Sequence, residues 1–360
     1  MTRLQAAVRA GARRTLHGGS CVRARDRVGV HGTAEELPAL THANDMVRES
    51  LRTSVQQRDY PAYLTHMAYD RVRQPHFFAL RAFHIELASV KDTVSNELLG
   101  RVRMQWWRDA IRGIFQNRPP SHPVALALCD AVHDPALRRT GGLVEDHFYA
   151  IIDAREGGLA DALSPPTLVE LEQYAESTSS RMEYLLLNLQ GVSDPAVDEL
   201  FSHLGKAIGL GILVSALPFH THPPARTHTG GATGSRLAPQ GGVVPRTPSL
   251  PLPLEYLLEA NVSQEDVFRN GINARGLRDA VFATATRAND YLITARTQLR
   301  DAFDGAVPQP ALAPMLLAVN TREYLRRLES KGFNPYDATL QRRAWTLPWH
   351  LWVAARWRTL

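Results

Sequence analysis

Cysteine is close to absent from this chain, with only Cys21 and Cys129 in 360 residues. Neither a disulfide framework nor a cysteine-based zinc centre can be built from them, and Cys129 reads as a buried thiol in a helix over residues 124–132. Long apolar runs are missing too. Nothing approaches the roughly 18 uninterrupted apolar residues of a membrane-spanning helix. Period-two alternation is nearly absent, which argues against a sheet-based fold. The familiar catalytic spellings are not found: no G-x-S-x-G, no H-E-x-x-H and no G-x-G-x-x-G after a strand. The run GGATGS at residues 230–235 lacks the Gly-Lys-Ser/Thr ending of a phosphate loop.

Acidic residues are withheld from one end of the chain. The first 32 residues carry seven arginines (Arg3, Arg9, Arg13, Arg14, Arg23, Arg25, Arg27) and a single acid, Asp26, for a net charge of +6. The whole chain carries +5, so the other 328 residues sum to −1 and give little attraction for a phosphate backbone. A nucleic-acid partner is therefore not expected. An Arg-rich, acid-poor start, with Leu4, Val8 and Ala12 on one helical side, reads as a mitochondrial transit peptide over residues 1–32, cleaved around 20–35.

What is abundant is helical periodicity. From residue 40 to 217 short Gly/Pro punctuation separates amphipathic segments, among them a helix start at Ser164-Pro165 and a second, capped one at Ser263, stopped by Gly271. Residues 221–253 break the pattern, being rich in Gly, Pro, Ser and Thr, and read as an excursion too polar to order itself. His220, His222 and His228 there read as solvated histidines rather than metal ligands. Helical pattern then resumes at 255–260, 265–270, 277–303, 311–329 and 346–358. The expectation is one all-α domain over residues 33–360.

One stretch organises the rest. In FFALRAFHIELASVKDTVSN, residues 77–96, Leu80, Phe83, Leu87, Val90 and Val94 fall on one helical stripe. ALRAFHIELASVKD (79–92), RMQWWRDAI (103–111), YAESTSSRMEYLLLNLQG (174–191), LGKAIGLGILVSALPFH (204–220) and LPLEYLLEANVSQEDVFR (252–269) together resemble, in order and spacing, the squalene/phytoene synthase family. The resemblance spans about residues 58–358 and implies an isoprenoid-synthase bundle of helices around a central cavity.

It also implies two pairs of carboxylates, each four residues apart, that hold Mg²⁺ against a diphosphate. Laid on this chain the pairs fall on Ala88 with Asp92 and on Ala216 with His220. Gly158 stands where active members carry a further acid. The resemblance therefore implies a member that keeps the fold and lacks catalytic residues, metal ligands and cofactor. Asp92 reads as structural, and Asp153, Arg155 and Glu156 read as a solvated face or ion pairs.

FALRAFHIELASVKDTVS, RVRMQWWRDAI, IIDAREGGL, YAESTSS and HLGKAIG leading to ALPFH narrow the resemblance to non-catalytic members that serve the early assembly of mitochondrial respiratory complex I. This implies complex I assembly intermediates as partners, a membrane-arm core subunit among them, and a matrix location with peripheral inner-membrane association. The rival readings are an Mg²⁺-dependent prenyl-diphosphate transferase and a carrier holding an unidentified apolar ligand. Trp345, Trp349, Trp352 and Trp357 sit among arginines near the end of the chain. The ordinary reading makes theirs a final packing helix with indoles in the core; the alternative is contact with a membrane interface.

Overall fold

Why one helix should lie at the centre is visible in its burial. The helix at Gln74–Thr93 is buried without a break from Phe77 to Ile85, so its middle has neighbours on every side instead of along one stripe. In the computed structural model, which describes residues 42–94, 96–159, 164–221 and 248–360, the helices of the first half of the chain pack around it. The transit peptide expected at residues 1–32 lies outside the described residues, as do positions 222–247 of the excursion.

The first half of the chain runs through α1 (Asp45–Arg58), α2 (Tyr60–Thr65), α3 (Gln74–Thr93), α4 (Glu97–Phe115), α5 (Pro123–Val132), α6 (Pro135–Arg139) and α7 (Glu145–Gly157). Asn44 and Asn96 cap α1 and α4 by accepting backbone N–H groups of the first turn. Around α3 they bury an aromatic centre in which Phe83 meets Trp107 and Phe148 edge-on, each at 5.3 Å. Each such ring, fully buried, contributes about 1.5–3 kcal/mol. Cys129 lies wholly inside, as its helix pattern suggests, and burial beside Asp130 pushes its thiol up to about 11.

The second half continues through α8 (Leu168–Ala175), α9 (Arg181–Leu189), α10 (Pro195–Ser215), α11 (Leu217–Thr221), α12 (Leu254–Glu259), α13 (Gln264–Asn270), α14 (Leu277–Phe303), α15 (Leu312–Ser330) and α16 (Leu347–Trp357). Its core joins Leu200, Phe201 and Leu204 of α10 to Leu292 of α14 and Met315 of α15. No strand occurs among the described residues, and the domain is all-α as the periodicity predicts.

Three local expectations need correction. The helix expected at Ser164-Pro165 starts at Leu168, because Thr167 and Glu170 form a reciprocal capping box, while consecutive prolines hold the preceding chain extended. The helix after Ser263 does begin at Gln264 and end at Gly271, but the Ser263 side chain makes no cap hydrogen bond. Both edges of the excursion belong to the fold: Thr221 is buried as the last residue of α11, the Ser249 N–H donates to the His220 carbonyl at 3.0 Å, and Leu250 and Leu252 enter the core.

The tryptophan reading is corrected most. Leu347, Leu351 and Ala354 face inward from α16, and Trp345, Trp349, Trp352 and Trp357 are 89%, 63%, 57% and 65% exposed. With these three residues α16 packs against α15, and the indoles stay outside.

Candidate functional site

Ala88 and Asp92 lie one turn apart near the C-terminal end of α3, Ala88 exposed and Asp92 partly buried. Ala216 is the C-cap of α10, and His220 lies in α11 directly after it. Beside Asp92, the Lys91 ammonium donates to the Gly158 carbonyl at 3.0 Å, tying the end of α3 to the end of α7. Mg²⁺ takes oxygen ligands in near-octahedral geometry. Two methyl groups, one carboxylate and an imidazole do not fit it. Among the described residues no three His, Cys, Asp or Glu side chains converge as a metal ion would need.

The polar chemistry of the interior lies one to three turns back along the same helix. Arg81 is buried on α3 and donates through both Nε, at 3.1 Å, and Nη2 to the Asp59 carboxylate at the start of α2. Burial works against the charge of Arg81, and the Asp59 carboxylate, by its charge and its hydrogen bonds, is the main group that restores it. Glu183, on α9, is 2% exposed, and burial pushes its carboxyl up to about 8 even though Arg81 pulls the other way. It is therefore a neutral acid at neutral pH. Its Oε2 and the buried Tyr69 hydroxyl have no hydrogen-bond partner among the described residues.

His84 continues the cluster. Burial and the nearby Arg155 hold its imidazole well below the usual histidine range, so it is neutral. Its Nε2 accepts from Arg155 Nη2 at 3.1 Å, which leaves the ring proton on Nδ1. Arg155 Nη1 donates to the Tyr174 hydroxyl at 2.6 Å, and the guanidinium lies 5.5 Å from the centre of that ring. The charges of IIDAREGGL thus divide: Asp153 and Glu156 pair outside with Arg108, as expected, whereas Arg155 turns inward.

Beside this cluster the backbone widens. Glu176–Ser180, between α8 and α9, forms a π turn in which the Arg181 N–H donates to the Glu176 carbonyl five residues back. Such wide turns cost regular hydrogen bonding and often mark functional positions. Here the turn is held by α10. The Glu176 carboxylate accepts from Tyr184 at 2.9 Å and Ser202 at 2.7 Å, with Lys206 at 3.6 Å. Burial raises this carboxyl, but those donors bring it below its ordinary range on balance.

Sequence reasoning singled out the ends of α3 and α10 and missed this interior. A signal existed: Arg81 and His84 interrupt an apolar run, and Glu183 sits between Met182 and a leucine run at core register. Arg81 with Asp59, and Arg155 with His84 and Tyr174, tie α2, α3, α7 and α8 together through polar contacts.

Comparison with known proteins adds to this geometry. The family model described as squalene/phytoene synthase matches residues 55–225 and 245–352. The chain is similar to "NADH dehydrogenase (ubiquinone) complex I, assembly factor 6" of Bos taurus, 33% identical over 304 residues that cover 84% of this chain and 80% of the relative. It is also similar to the assembly factor 6 homolog of Drosophila melanogaster, 31% identical over 290 residues covering 78% of this chain and 74% of that one. A solved dehydrosqualene synthase in complex with ligand superposes with a TM-score of 0.64 at 14% identity, covering 86% of this chain and 95% of the other. At that identity the likeness concerns the fold, which is the all-α isoprenoid-synthase type.

Proposed function

The chain belongs to the squalene/phytoene synthase family, and from that premise we propose that it is a non-catalytic member needed for the early assembly of mitochondrial respiratory complex I. The observation that carries the reading is the likeness to complex I assembly factor 6 across four-fifths of both chains. Family membership alone would not license it, since function is a property of the site and not of the fold. Ala88, Ala216 and His220, at the positions where the resemblance expects carboxylates, support a lost reaction.

The proposed place of action is the matrix side of the inner membrane, reached by way of the transit peptide at residues 1–32. The proposed partner is an assembly intermediate containing a membrane-arm core subunit. No helix among the described residues is long and apolar enough to cross a membrane, and peripheral association is compatible with that.

The test is the level of assembled complex I on native gels from cells lacking this chain, with the ubiquinone pool measured in the same cells. Loss of complex I at normal ubiquinone and normal levels of the other complexes is expected. A depleted ubiquinone or other isoprenoid pool would overturn the reading in favour of a prenyl-diphosphate enzyme. An apolar ligand that co-purifies, with complex I unaffected, would favour a carrier.

A further inference from the structure

On an ordinary surface helix the face opposite the core is polar. On α16 it is not. Leu347, Leu351 and Ala354 bind the helix to the body of the protein, and at three- and four-residue steps on the other side come Trp349, Trp352 and Arg356. The two indoles stack at 5.1 Å with an interplanar angle of 23°, so they stand face against face as one exposed apolar cluster. Trp345, just before the first turn, is the most exposed of the four tryptophans, and at the other end of the helix the Arg356 guanidinium lies 5.3 Å from the Trp357 ring.

The last twenty residues carry charge of one sign. Residues 341–360 contain Arg342, Arg343, Arg356 and Arg358 and no aspartate or glutamate, although the chain beyond its first 32 residues is close to neutral overall. Arg343 lies over the Tyr60 ring at 4.1 Å and Arg358, partly buried, donates to the Val307 carbonyl, while Arg342 and Arg356 are exposed. An exposed helix face carrying indoles among cations has the chemistry of the layer between lipid headgroups and acyl chains. There the ring sits in the apolar part, its N–H reaches water, and arginine meets phosphate.

We propose that the outer face of α16 is a docking surface for an anionic membrane. Trp345, Trp349 and Trp352 enter the interface and Arg342 and Arg356 meet acidic headgroups. This deepens the membrane side of the proposed function and rests on that reading for which bilayer is met.

The full chain is to be sedimented with vesicles of phosphatidylcholine alone and of phosphatidylcholine mixed with phosphatidylserine, with tryptophan emission recorded in parallel. Binding to the mixed vesicles with a blue shift of emission is expected, and weak binding to the neutral ones. The double variant Trp349→Ser/Trp352→Ser should bind at least about tenfold more weakly, and Arg342→Glu/Arg356→Glu should lose the preference for acidic lipid. Trp345→Ser, at the most exposed position, repeats the test if the double variant fails to fold. A folded tryptophan variant that binds like the parent overturns the proposal and leaves the membrane reading of function standing. A parent that binds neither vesicle overturns both, and equal binding to both vesicles overturns the role of the arginines.

Discussion

A Cβ placed on Gly205 would sit 2.3 Å from the Ser180 hydroxyl oxygen and 2.4 Å from the Ser180 Cα. Helix α10 therefore meets the π turn backbone against backbone, and Gly209, one turn on, meets Ala175 in the same way. The neighbour at Gly205 is main chain, which cannot swing aside as a flexible side chain would. Gly205→Ala should lower stability by about 1–3 kcal/mol in urea unfolding. Gly157→Ala, at the end of α7 with nothing within 4 Å of the new methyl, should stay within about 1 kcal/mol of the parent.

Glu183 gives a pH dependence of known sign. Its carboxyl is raised to about 8 in the folded chain, so between the unfolded carboxylate range and about pH 8 the folded state holds a proton that the unfolded state has released. Its contribution is complete at low pH and is lost as pH rises through the folded value. Glu183→Gln mimics the neutral acid. Thermal unfolding from pH about 5 to about 9 should show the parent losing more stability than the variant over that window.

Asp59 caps α2 through the Ala62 N–H and is also the counter-ion of Arg81. Asp59→Asn keeps an oxygen for the cap and strips the charge, so the expected loss of about 3 kcal/mol in urea unfolding reports the buried guanidinium left without its partner. A loss under about 1 kcal/mol would mean that Glu183 had given up its proton to replace it. The pH dependence described above would then disappear with it.

Asp92→Ala tests the loss of chemistry directly. If the carboxylate is structural, the variant should restore complex I in deficient cells in proportion to its own abundance. Failure to restore it at normal abundance and unchanged unfolding temperature would reinstate Asp92 as a functional group.

The helical frame was legible in the sequence because its signal is local. Leu80, Phe83, Leu87 and Val90 fall on the predicted stripe, and residues 277–303 match α14 from end to end. Partnership between distant residues was not legible. Asp59 and Arg81 are 22 positions apart and His84 and Arg155 are 71 apart, and nothing in the local pattern of either member announces the other. The tryptophans failed for a different reason. Indole is apolar enough for a core yet amphipathic enough for a surface, and the buried stripe of α16 is carried by Leu347, Leu351 and Ala354 instead.

The π turn also decides which way two acids look. Glu176 and Glu183 are seven residues apart and on a regular helix would share a face, two turns or about 10 Å from one another. The extra residue swings the register by about 100°. Glu176 is delivered to Ser202 and Lys206 of α10 and keeps its charge, while Glu183 is delivered to the Arg81 side of the interior and keeps its proton. A deletion within residues 176–180 that restored regular winding would thus do more than shorten a helix: it would bring two carboxyls of opposite protonation into one another's field and leave both sets of partners behind.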